Sequence, residues 1–426
     1  MSLWHLFLLS GVYDSTKSYF CSAKEQTQIS IYMEKVFILT AVRTPIGSFG
    51  GGLSKFTAPQ LGSIAIKGAL DKGGINPEQV EEVFMGNVLT AGVGQAPARQ
   101  AALGAGIPNT VPCTTVNKVC ASGMKSIMFG AQSIMLGFND IVIAGGMESM
   151  SNAPYLVPKA RWGYKYGNGA LIDVIVNDGL EDAYSHQVMG VFADETAKEM
   201  NISRERQDAF SIRSYRRSAE ATQSGAFKEE IIPVVVPQRK GDPITISEDE
   251  EYKRVKFDKV PQLRPAFTKD GTVTAANAST LNDGASALIL ISERKMNELG
   301  LNPLARLVSF ADAAHEPGRF TTAPVPASEI ALQRAGLTKE DVDFYEVNEA
   351  FAVVTLAFLD KLDIAEDKVN VHGGACSLGH PLGASGARII ATLAHTLRQK
   401  NSKYGLATLC NGGGGASALI IENTAE

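Results

Sequence analysis

The sequence has few cysteines, no long basic run and no long apolar stretch, and each shortage argues against one class of protein. Five cysteines among 426 residues are too few for a disulfide scaffold, which leaves reduced thiols available for chemistry. Lys and Arg number 40 against 45 Asp and Glu, which argues against nucleic acid as the main partner. No apolar stretch approaches the ~20 residues that span a bilayer, so we expect no membrane partner.

The rest of the composition is that of a globular α/β protein. Hydrophobic residues make up 45% and charged residues 20%, and the length suggests about two or three domains. The spacing of Met124, Ile127, Met128 and Ala131 puts them on one face of a helix. Continuous apolar runs are typical of strands buried on both faces, and they occur at 35–41, 140–144, 287–291 and 416–421. The alternation predicts a mainly parallel sheet covered by helices.

Two short patterns recur in the same order. Gly74-Ile75 matches Gly336-Leu337 after 262 residues, and Ala121-Ser122-Gly123 matches Ala384-Ser385-Gly386 after 263 residues. Repeats at nearly one offset predict two duplicated α/β halves. The first half covers 33–148 and is completed by about 280–303, and the second covers 304–424. A more polar stretch, 149–279, is interpreted as a loop domain inserted in the first half.

Residues 1–32 differ in composition from the rest of the chain. They are rich in Ser and poor in acidic residues, which is typical of an organelle-targeting segment, although they contain no Arg. We therefore expect mitochondrial import, with the cytoplasm as the alternative location. Two other interpretations stay open, namely a secretory signal and a disordered tail upstream of a second start at Met33.

Three glycine-framed loops carry candidate chemistry. Cys120 lies where an extended stretch gives way to a helix, and the partial positive charge of a helix N-terminus favours a thiolate. His380 lies on a stiff loop between Gly379 and Pro381, where an imidazole can act as a general base. Together they fit the Cys–His pattern of nucleophilic catalysis. The alternatives are a buried structural Cys and a His that is merely hydrogen-bonded.

The third loop starts at Cys410 and continues through four glycines. Unobstructed backbone N–H groups there suit an oxyanion site, and a plain turn is the alternative. A fourth segment, Asn348-Glu349-Ala350-Phe351, could instead supply helix caps. No Cys/His set has the spacing of metal ligands.

These four motifs together resemble the thiolase family. The motifs are Asn-x-x-Cys-Ala-Ser-Gly, Asn-Glu-Ala-Phe, Gly-His-Pro-x-Gly-Ala-Ser-Gly and Cys-x-Gly-Gly-Gly, and the resemblance runs from about 35 to 422. It is strongest to the short-chain members of the mitochondrial type. It implies the layered thiolase fold, with two like α/β halves and a loop domain, assembled as a homotetramer, a dimer of dimers.

The resemblance also implies roles in the reaction. Cys120 would be the nucleophile that becomes acetylated, and His380 would activate it and later stabilise an oxyanion. Asn348 would hold a water that completes that oxyanion hole. Cys410 would remove a proton from the methyl group of a second acetyl-CoA. The N–H groups of Cys120 and Gly412 would form a second oxyanion hole.

Substrate-binding residues are implied in the same way. Ser279 matches a position that touches the pantetheine arm, and the residues matching the coenzyme A nucleotide site are Tyr215, Arg254, Val255 and Lys259. Met189 indicates a short acyl pocket, and Phe320 lies on a loop that makes room for a 2-methyl branch in mitochondrial members. Some of those members bind K⁺, and the matching positions are Tyr215, Ala275, Ala276, Ala278 and Cys376. No redox or metal cofactor is required.

The implied activity is an acyl transfer, the reversible Claisen condensation of two acetyl-CoA to acetoacetyl-CoA and CoA, within fatty acid and ketone body metabolism. The alternatives are a longer-chain 3-ketoacyl-CoA thiolase, a non-catalytic acyl-CoA-binding relative and a decarboxylating ketoacyl synthase. Cys410 argues against the last of these. One departure concerns the acyl pocket, because Val188 stands where short-chain members have His, and His186 is not expected to replace it.

Overall fold

The computed structural model describes residues 33–425, so the predicted leader, 1–32, lies outside the described residues. The strands that run through the described chain are β1 (Val36–Arg43), β2 (Gly47–Ser48), β3 (Glu82–Gly86), β4 (Cys113–Val116), β5 (Ile141–Ser149), β6 (Tyr155–Leu156), β7 (Ile172–Asp173), β8 (Val234–Val236), β9 (Ile244–Ile246), β10 (Asn282–Ser292), β11 (Ala305–Ala314), β12 (Phe344–Val347), β13 (Tyr404–Asn411) and β14 (Gly415–Asn423).

The helices alternate with these strands. They are α1 (Ala58–Gly73), α2 (Pro97–Gly104), α3 (Ser122–Met135), α4 (Met189–Glu199), α5 (Arg204–Ser224), α6 (Glu293–Leu299), α7 (Pro324–Ala335), α8 (Ala352–Leu362), α9 (Ala375–Leu378) and α10 (Leu382–Lys400). No helix in the described part of the chain is both long and apolar enough to span a membrane.

The sheet shows the duplication directly. Its order is β12-β13-β14-β11-β1-β10-β5-β3-β4, with β2 beside β10. In the first half β1 and β10 are antiparallel, β10 and β5 antiparallel, and β5 and β3 parallel. In the second half β11 and β14, β14 and β13, and β13 and β12 repeat that series. The late strand β10 thus completes the first half of the sheet.

The expectation of a mainly parallel sheet was wrong, because the sheet is mixed. Parallel pairing is confined to β12 with β13 and to β3 with its neighbours β4 and β5, and the other pairs of the main sheet are antiparallel. The physical reason is burial. Strands covered by helices on both faces are apolar throughout, whatever the direction of their neighbours.

The two repeated sequence patterns adopt the same local structure. Gly74 ends α1 and Gly336 ends α7, both in the left-handed conformation, with φ of 63° and 65°. A residue with a Cβ atom is strained there, whereas glycine is not. Each glycine is followed by a short 3₁₀ turn, Pro77–Gln79 in one half and Lys339–Asp341 in the other, and then by a sheet strand.

The core lies in layers. One apolar cluster joins α1 and α2 to the first half of the sheet, and another joins α7 and α8 to the second half. The third cluster lies between the halves and contains α3 and α10, with Ile127 and Ile390 among its members. These two helices carry the second repeated pattern at their N-termini, so the central layer brings together the loops that precede them.

The segment between β5 and β10 contains α4, α5 and two short hairpins, β6–β7 and β8–β9. Its division from the two halves at 149 and 279 stays a prediction. Buried ion pairs link it to the sheet. Arg43 of β1 is 1% exposed and donates from Nε to Glu230 at 2.6 Å. It also donates from both terminal nitrogens to Asp249, at 2.7 and 2.9 Å.

Replacing Arg43→Met should lower the free energy of unfolding by about 3–5 kcal/mol, because it strands two buried carboxylates without a cation. Urea unfolding followed by circular dichroism measures the loss. Lys67→Met is the matched control, since it removes a pair with Asp71 in which both side chains are 64% exposed, and it should cost far less. Equal losses in the two variants would contradict this account.

Candidate active site

Cys120 lies on a strained turn between β4 and α3. Val119, just before it, has φ of 47°, a left-handed conformation that a β-branched residue rarely adopts. Side chains on both sides hold the turn. Asn117 Oδ1 accepts from the Val119 N–H at 3.0 Å, and Ser122 Oγ accepts from the Lys118 N–H at 2.8 Å. These two bonds hold the strained turn, and the half-buried Cys120 that follows it lines the cavity described below.

The glycine-rich loop places His380 and also fixes its tautomer. Ser385 donates its hydroxyl proton to the Pro381 carbonyl at 2.9 Å, so it can only accept from His380 Nδ1, which lies 2.5 Å away. The proton is therefore on Nδ1, and Nε2 carries the lone pair that a general base needs. The backbone N–H of His380 donates to Asn282 Oδ1 at 2.9 Å, which holds the loop against β10.

Asn348 reaches the same place from the end of β12. Its Nδ2 lies 3.5 Å from His380 Nε2, a long contact, and its Oδ1 is buried without a hydrogen-bond partner. An orphaned buried carbonyl oxygen is costly unless a water or a ligand group completes it. Since β12 and β13 are parallel, their carboxyl ends share one edge of the sheet, which brings Asn348 beside Cys410.

Cys410 and Gly412 belong to the hairpin between β13 and β14. Cys410 is 1% exposed and pairs with Ala416 across the hairpin. Its thiol is close enough to Cys120 for the two to interact electrostatically. Gly412 lies against the Cys120 turn, since a Cβ atom added there would be 3.6 Å from Val119 Cγ1, and the backbone N–H groups of Gly412 and Cys120 lower the pKa of the Cys120 thiol. Two N–H donors beside this thiol can also stabilise an oxyanion formed there.

These groups open into one cavity of about 770 Å³. Its wall includes Cys120, His380, Cys410 and Gly412, and the predicted substrate residues on it are Met189, Arg254, Ala275, Ala278, Ser279 and Phe320. Most of the remaining wall is apolar. Two thiols and an imidazole on the wall of one largely apolar cavity suit a substrate that has an apolar arm and reacts at its tip.

A smaller cleft of about 300 Å³ adjoins the cavity and shares Arg254 and Ala275 with it. The predicted nucleotide-site residues Tyr215, Val255 and Lys259 all line this cleft. The side chains of Arg254 and Lys259 are 63% and 59% exposed. Exposed cations in a cleft beside the apolar cavity can bind the phosphates of a nucleotide whose attached arm extends into that cavity.

The part of the cavity wall near Phe320 contains packed aromatic rings. Phe320 is buried and meets Phe192 edge to face, with ring centroids 6.3 Å apart. Its neighbour Thr321 is buried too, and its hydroxyl lies 2.7 Å from that of Thr196. Val188 lines the cavity. His186 does not replace the missing histidine, because it is exposed and its Nδ1 contacts Glu181 at 3.1 Å.

Cys120 and His380 are both neutral in the free site. Burial raises the pKa of Cys120 to about 11, although the N–H groups of Gly412 and Cys120 lower it in part. Burial and the positive charge of Arg388 lower the pKa of His380 to about 3. Burial also raises the pKa of Cys410 well above that of an ordinary thiol. An ion pair is thus unfavourable in this apolar site until a substrate shares the charge.

Three buried residues that the sequence analysis did not single out support the site. Ser385 and Asn282 orient His380, as described above. The carboxylate of Glu148 accepts from the backbone N–H groups of Val88 and Gly383, at 3.0 and 2.9 Å, which ties the first half to the start of α10. Of these three residues, only Ser385 could have been identified from the sequence as a supporting residue, because it lies in the first turn of the helix that follows His380.

Glu349 has a structural role in the Asn-Glu-Ala-Phe segment. It accepts from Asn370 Nδ2 at 2.8 Å, from Ser214 Oγ at 2.7 Å and from the Cys376 N–H at 3.1 Å. These bonds hold the segment against α5 and α9. The Glu349 carboxylate therefore stabilises the segment that carries Asn348. It is fully buried and does not line the cavity.

Comparison with known proteins agrees with this architecture. Residues 36–294 match the family model of the thiolase N-terminal domain, and residues 301–423 match that of the thiolase C-terminal domain. The fold and the site thus define a thiolase-type enzyme, and the chain belongs to the thiolase family. A crystal structure of a thiolase from Ascaris suum in complex with coenzyme A superposes with a TM-score of 0.87 at 46% identity, covering 92% of this chain and 100% of that one.

Three named relatives show which kind of family member this chain is similar to. The chain is 56% identical to the mitochondrial acetyl-CoA acetyltransferase of Homo sapiens, over 92% of this chain and 91% of that protein. It is 55% identical to the acetyl-CoA acetyltransferase of Schizosaccharomyces pombe, over 91% and 98%. It is 53% identical to a cytosolic acetyl-CoA acetyltransferase of Gibberella zeae, again over 91% and 98%.

A neutral Cys–His pair predicts a particular pH dependence for alkylation of Cys120 by iodoacetamide. Since the pKa of the thiol is about 11, the thiolate fraction should rise about tenfold for each pH unit between 7 and 10. No step is expected near pH 6.5, because the pKa of His380 is about 3. Mass spectrometry of the Cys120 peptide measures the rate. A plateau already reached at neutral pH would mean a preformed thiolate–imidazolium pair.

Proposed function

We propose that this chain is an acetyl-CoA C-acetyltransferase that condenses two acetyl-CoA to acetoacetyl-CoA and CoA, and cleaves acetoacetyl-CoA in the reverse direction. The observation that carries the proposal is the convergence of two thiols, Cys120 and Cys410, with His380 Nε2 at the end of one apolar cavity. A condensation with a separate acylation step needs a nucleophile and a second, independent base. The similarity to acetyl-CoA acetyltransferases supports the choice of substrate.

The first half-reaction forms an acetyl-Cys120 intermediate. His380 Nε2 takes the proton of Cys120 as the sulfur attacks the thioester carbonyl of acetyl-CoA. The C–S bond to coenzyme A breaks, and the leaving thiolate takes the proton of Cys410 and departs as CoA. The site then holds an imidazolium and the Cys410 thiolate, so the charges that were unfavourable at rest balance each other.

The second half-reaction forms the carbon–carbon bond. The Cys410 thiolate is a strong base, because burial raises the pKa of its thiol, and it removes a proton from the methyl group of a second acetyl-CoA. The His380 imidazolium, with a water held by Asn348, stabilises the enolate oxygen. The enolate attacks acetyl-Cys120 while the N–H groups of Cys120 and Gly412 stabilise the tetrahedral oxyanion. Cys120 leaves as a thiolate and recovers its proton from His380.

A longer-chain 3-ketoacyl-CoA thiolase is the second candidate function. Met189 and the Phe320–Phe192 pair bound the acyl end of the cavity and favour the short-chain substrate. A non-catalytic acyl-CoA-binding protein is the third candidate. A protein that only binds acyl-CoA does not need two thiols and an imidazole together in one cavity.

We propose that K⁺ binds at the positions that the family resemblance indicates, Tyr215, Ala275, Ala276, Ala278 and Cys376. No hydrogen bond between described residues ends on the carbonyl oxygens of Ala275, Ala276 and Ala278, so their lone pairs remain available. Carbonyl oxygens suit K⁺. The Cys376 thiol lies 3.6 Å from the carbonyl oxygens of Asn277 and Glu349, and the resemblance assigns its backbone carbonyl to the ion. When bound, K⁺ would add positive charge beside the nucleotide cleft. The rate of acetoacetyl-CoA thiolysis in K⁺ buffer, compared with the rate in Na⁺ buffer, tests this proposal.

We also propose a homotetramer that is imported into mitochondria, with the cytosol as the alternative, and a role in fatty acid and ketone body metabolism. Exposed aromatic side chains of the β6–β7 hairpin support self-association, since Trp162 is 84% and Tyr155 60% exposed. Light scattering measures the assembly. Relatives of both compartments are similar to this chain, so cell fractionation decides the location.

Cys410→Ala should separate the two half-reactions. We expect Cys120 still to take radiolabel from acetyl-CoA in the course of a single turnover, whereas condensation and thiolysis fall by at least about 10³-fold because the base is missing. Cys120→Ser is the control and should lose labelling as well, since an alkoxide is far scarcer than a thiolate at neutral pH. More than a few per cent of wild-type turnover in Cys120→Ser would contradict its assignment as the nucleophile.

Substrate range depends on the turn Pro317–Thr322, which carries Phe320. We expect 2-methylacetoacetyl-CoA to be cleaved less well than acetoacetyl-CoA, and Thr321→Pro to raise the ratio of the two kcat/KM values, because proline fixes φ of the turn. Thr321→Val is the matched control, since it removes the hydroxyl bond to Thr196 but keeps the backbone free. The prediction is wrong if the protein turns over acetoacetyl-CoA normally but does not cleave the 2-methyl substrate.

A further inference from the structure

Lys118 directs its ammonium group across the boundary between the two halves. Its backbone belongs to the turn that carries Cys120. Its Nζ donates to Asp312 Oδ1 at 2.5 Å, to Ser417 Oγ at 2.8 Å and to the Ala416 carbonyl at 3.2 Å. An ammonium has three donors, so all three end on the second half of the protein.

Two of the three acceptors, Ala416 and Ser417, belong to the hairpin that holds Cys410 and Gly412, and the third lies beside it. Ala416 pairs with Cys410 across the hairpin, and Ser417 pairs with Asp312 on the neighbouring strand β11. Ser417 in turn donates to Asp312 Oδ1 at 2.6 Å, which links the acceptors to one another. Lys118 thus connects the turn of the nucleophile to the strand opposite the second thiol.

We infer that Lys118 is a positioning residue that sets the distance between the Cys120 thiol and the Gly412 N–H. The Cys120 turn is strained at Val119, so a force that holds it against the hairpin is needed to keep this geometry. A misplacement of about 1 Å in a reacting group costs on the order of 10²-fold in rate. Lys118 does not touch the cavity wall and acts through the turn.

Lys125 provides a matched control. It lies near the start of α3 and donates to the other oxygen of the same carboxylate, Asp312 Oδ2, at 2.7 Å. The two lysines are similarly accessible, with side chains 25% and 21% exposed. Among the described residues, the ammonium of Lys125 hydrogen-bonds to Asp312 and lies over the Phe129 ring at 4.8 Å, and only its backbone N–H contacts the Cys120 turn, at the Ala121 carbonyl. Loss of either lysine removes one ion pair with Asp312, but only loss of Lys118 releases the turn.

The experiment compares Lys118→Met with Lys125→Met in the full chain. At pH 8, the rate of Cys120 alkylation by iodoacetamide should fall about fivefold or more in Lys118→Met, because the Gly412 N–H no longer supports the thiolate, and should stay within about twofold in Lys125→Met. The kcat for acetoacetyl-CoA thiolysis should fall about tenfold or more in Lys118→Met only, with KM nearly unchanged, because the nucleotide cleft lies elsewhere. Both variants should lose similar thermal stability.

Equal effects of the two variants, or an unchanged alkylation rate in Lys118→Met, would overturn the inference. Ser417→Ala serves as a second variant, since it removes one acceptor without touching the turn, and it should slow alkylation in the same direction. The thiolysis measurement rests on the proposed function, but the alkylation measurement does not. Absence of thiolysis in the unmodified chain would therefore refute the proposed function and leave the alkylation comparison as the test of Lys118.

Discussion

The close approach of α3 and α10 is the constraint on which the rest of the structure depends. A Cβ atom added at Gly386 would lie 2.4 Å from the Met124 backbone nitrogen, and one added at Gly123 would lie 2.9 Å from that of Ala387. Only glycine fits at such distances. Because one helix begins just after the Cys120 turn and the other just after His380, this crossing places the turn beside the His380 loop, and the duplicated sheet flanks both.

Burial then determines the chemistry. The same apolar layers that stabilise the crossing make charge unfavourable in the cavity, which raises the pKa of Cys120 and lowers that of His380. Instead of charged side chains, the cavity has hydrogen-bond donors and acceptors that are held in fixed orientations. Ser385 fixes the tautomer of His380, and the Gly412 N–H lowers the pKa of the Cys120 thiol. Charge develops only as the substrate reacts, at positions where donors already point.

Much of this was predictable because the motifs are local. The turn around Cys120, the glycines after Cys410 and the loop around His380 each stand in a short stretch of sequence, and the fold positions all three on one cavity. The two repeated patterns predicted the duplication for the same reason, since the helix cap at Gly74 is encoded by a few neighbouring residues and recurs at Gly336. The direction of the strands was not predictable, because helices cover both faces of the sheet.

The sequence by itself determined the reactive side chains, the small residues that flank them and the likeness of the two halves, because each depends on residues close together in the chain. Only the tertiary structure decided which partners complete them. Ser417 and Asp312 lie far from Lys118 in sequence, and Glu148 reaches Gly383 across the centre of the molecule. Such bonds depend on sheet register and helix crossing, which are set by packing over the whole core and not by any local pattern.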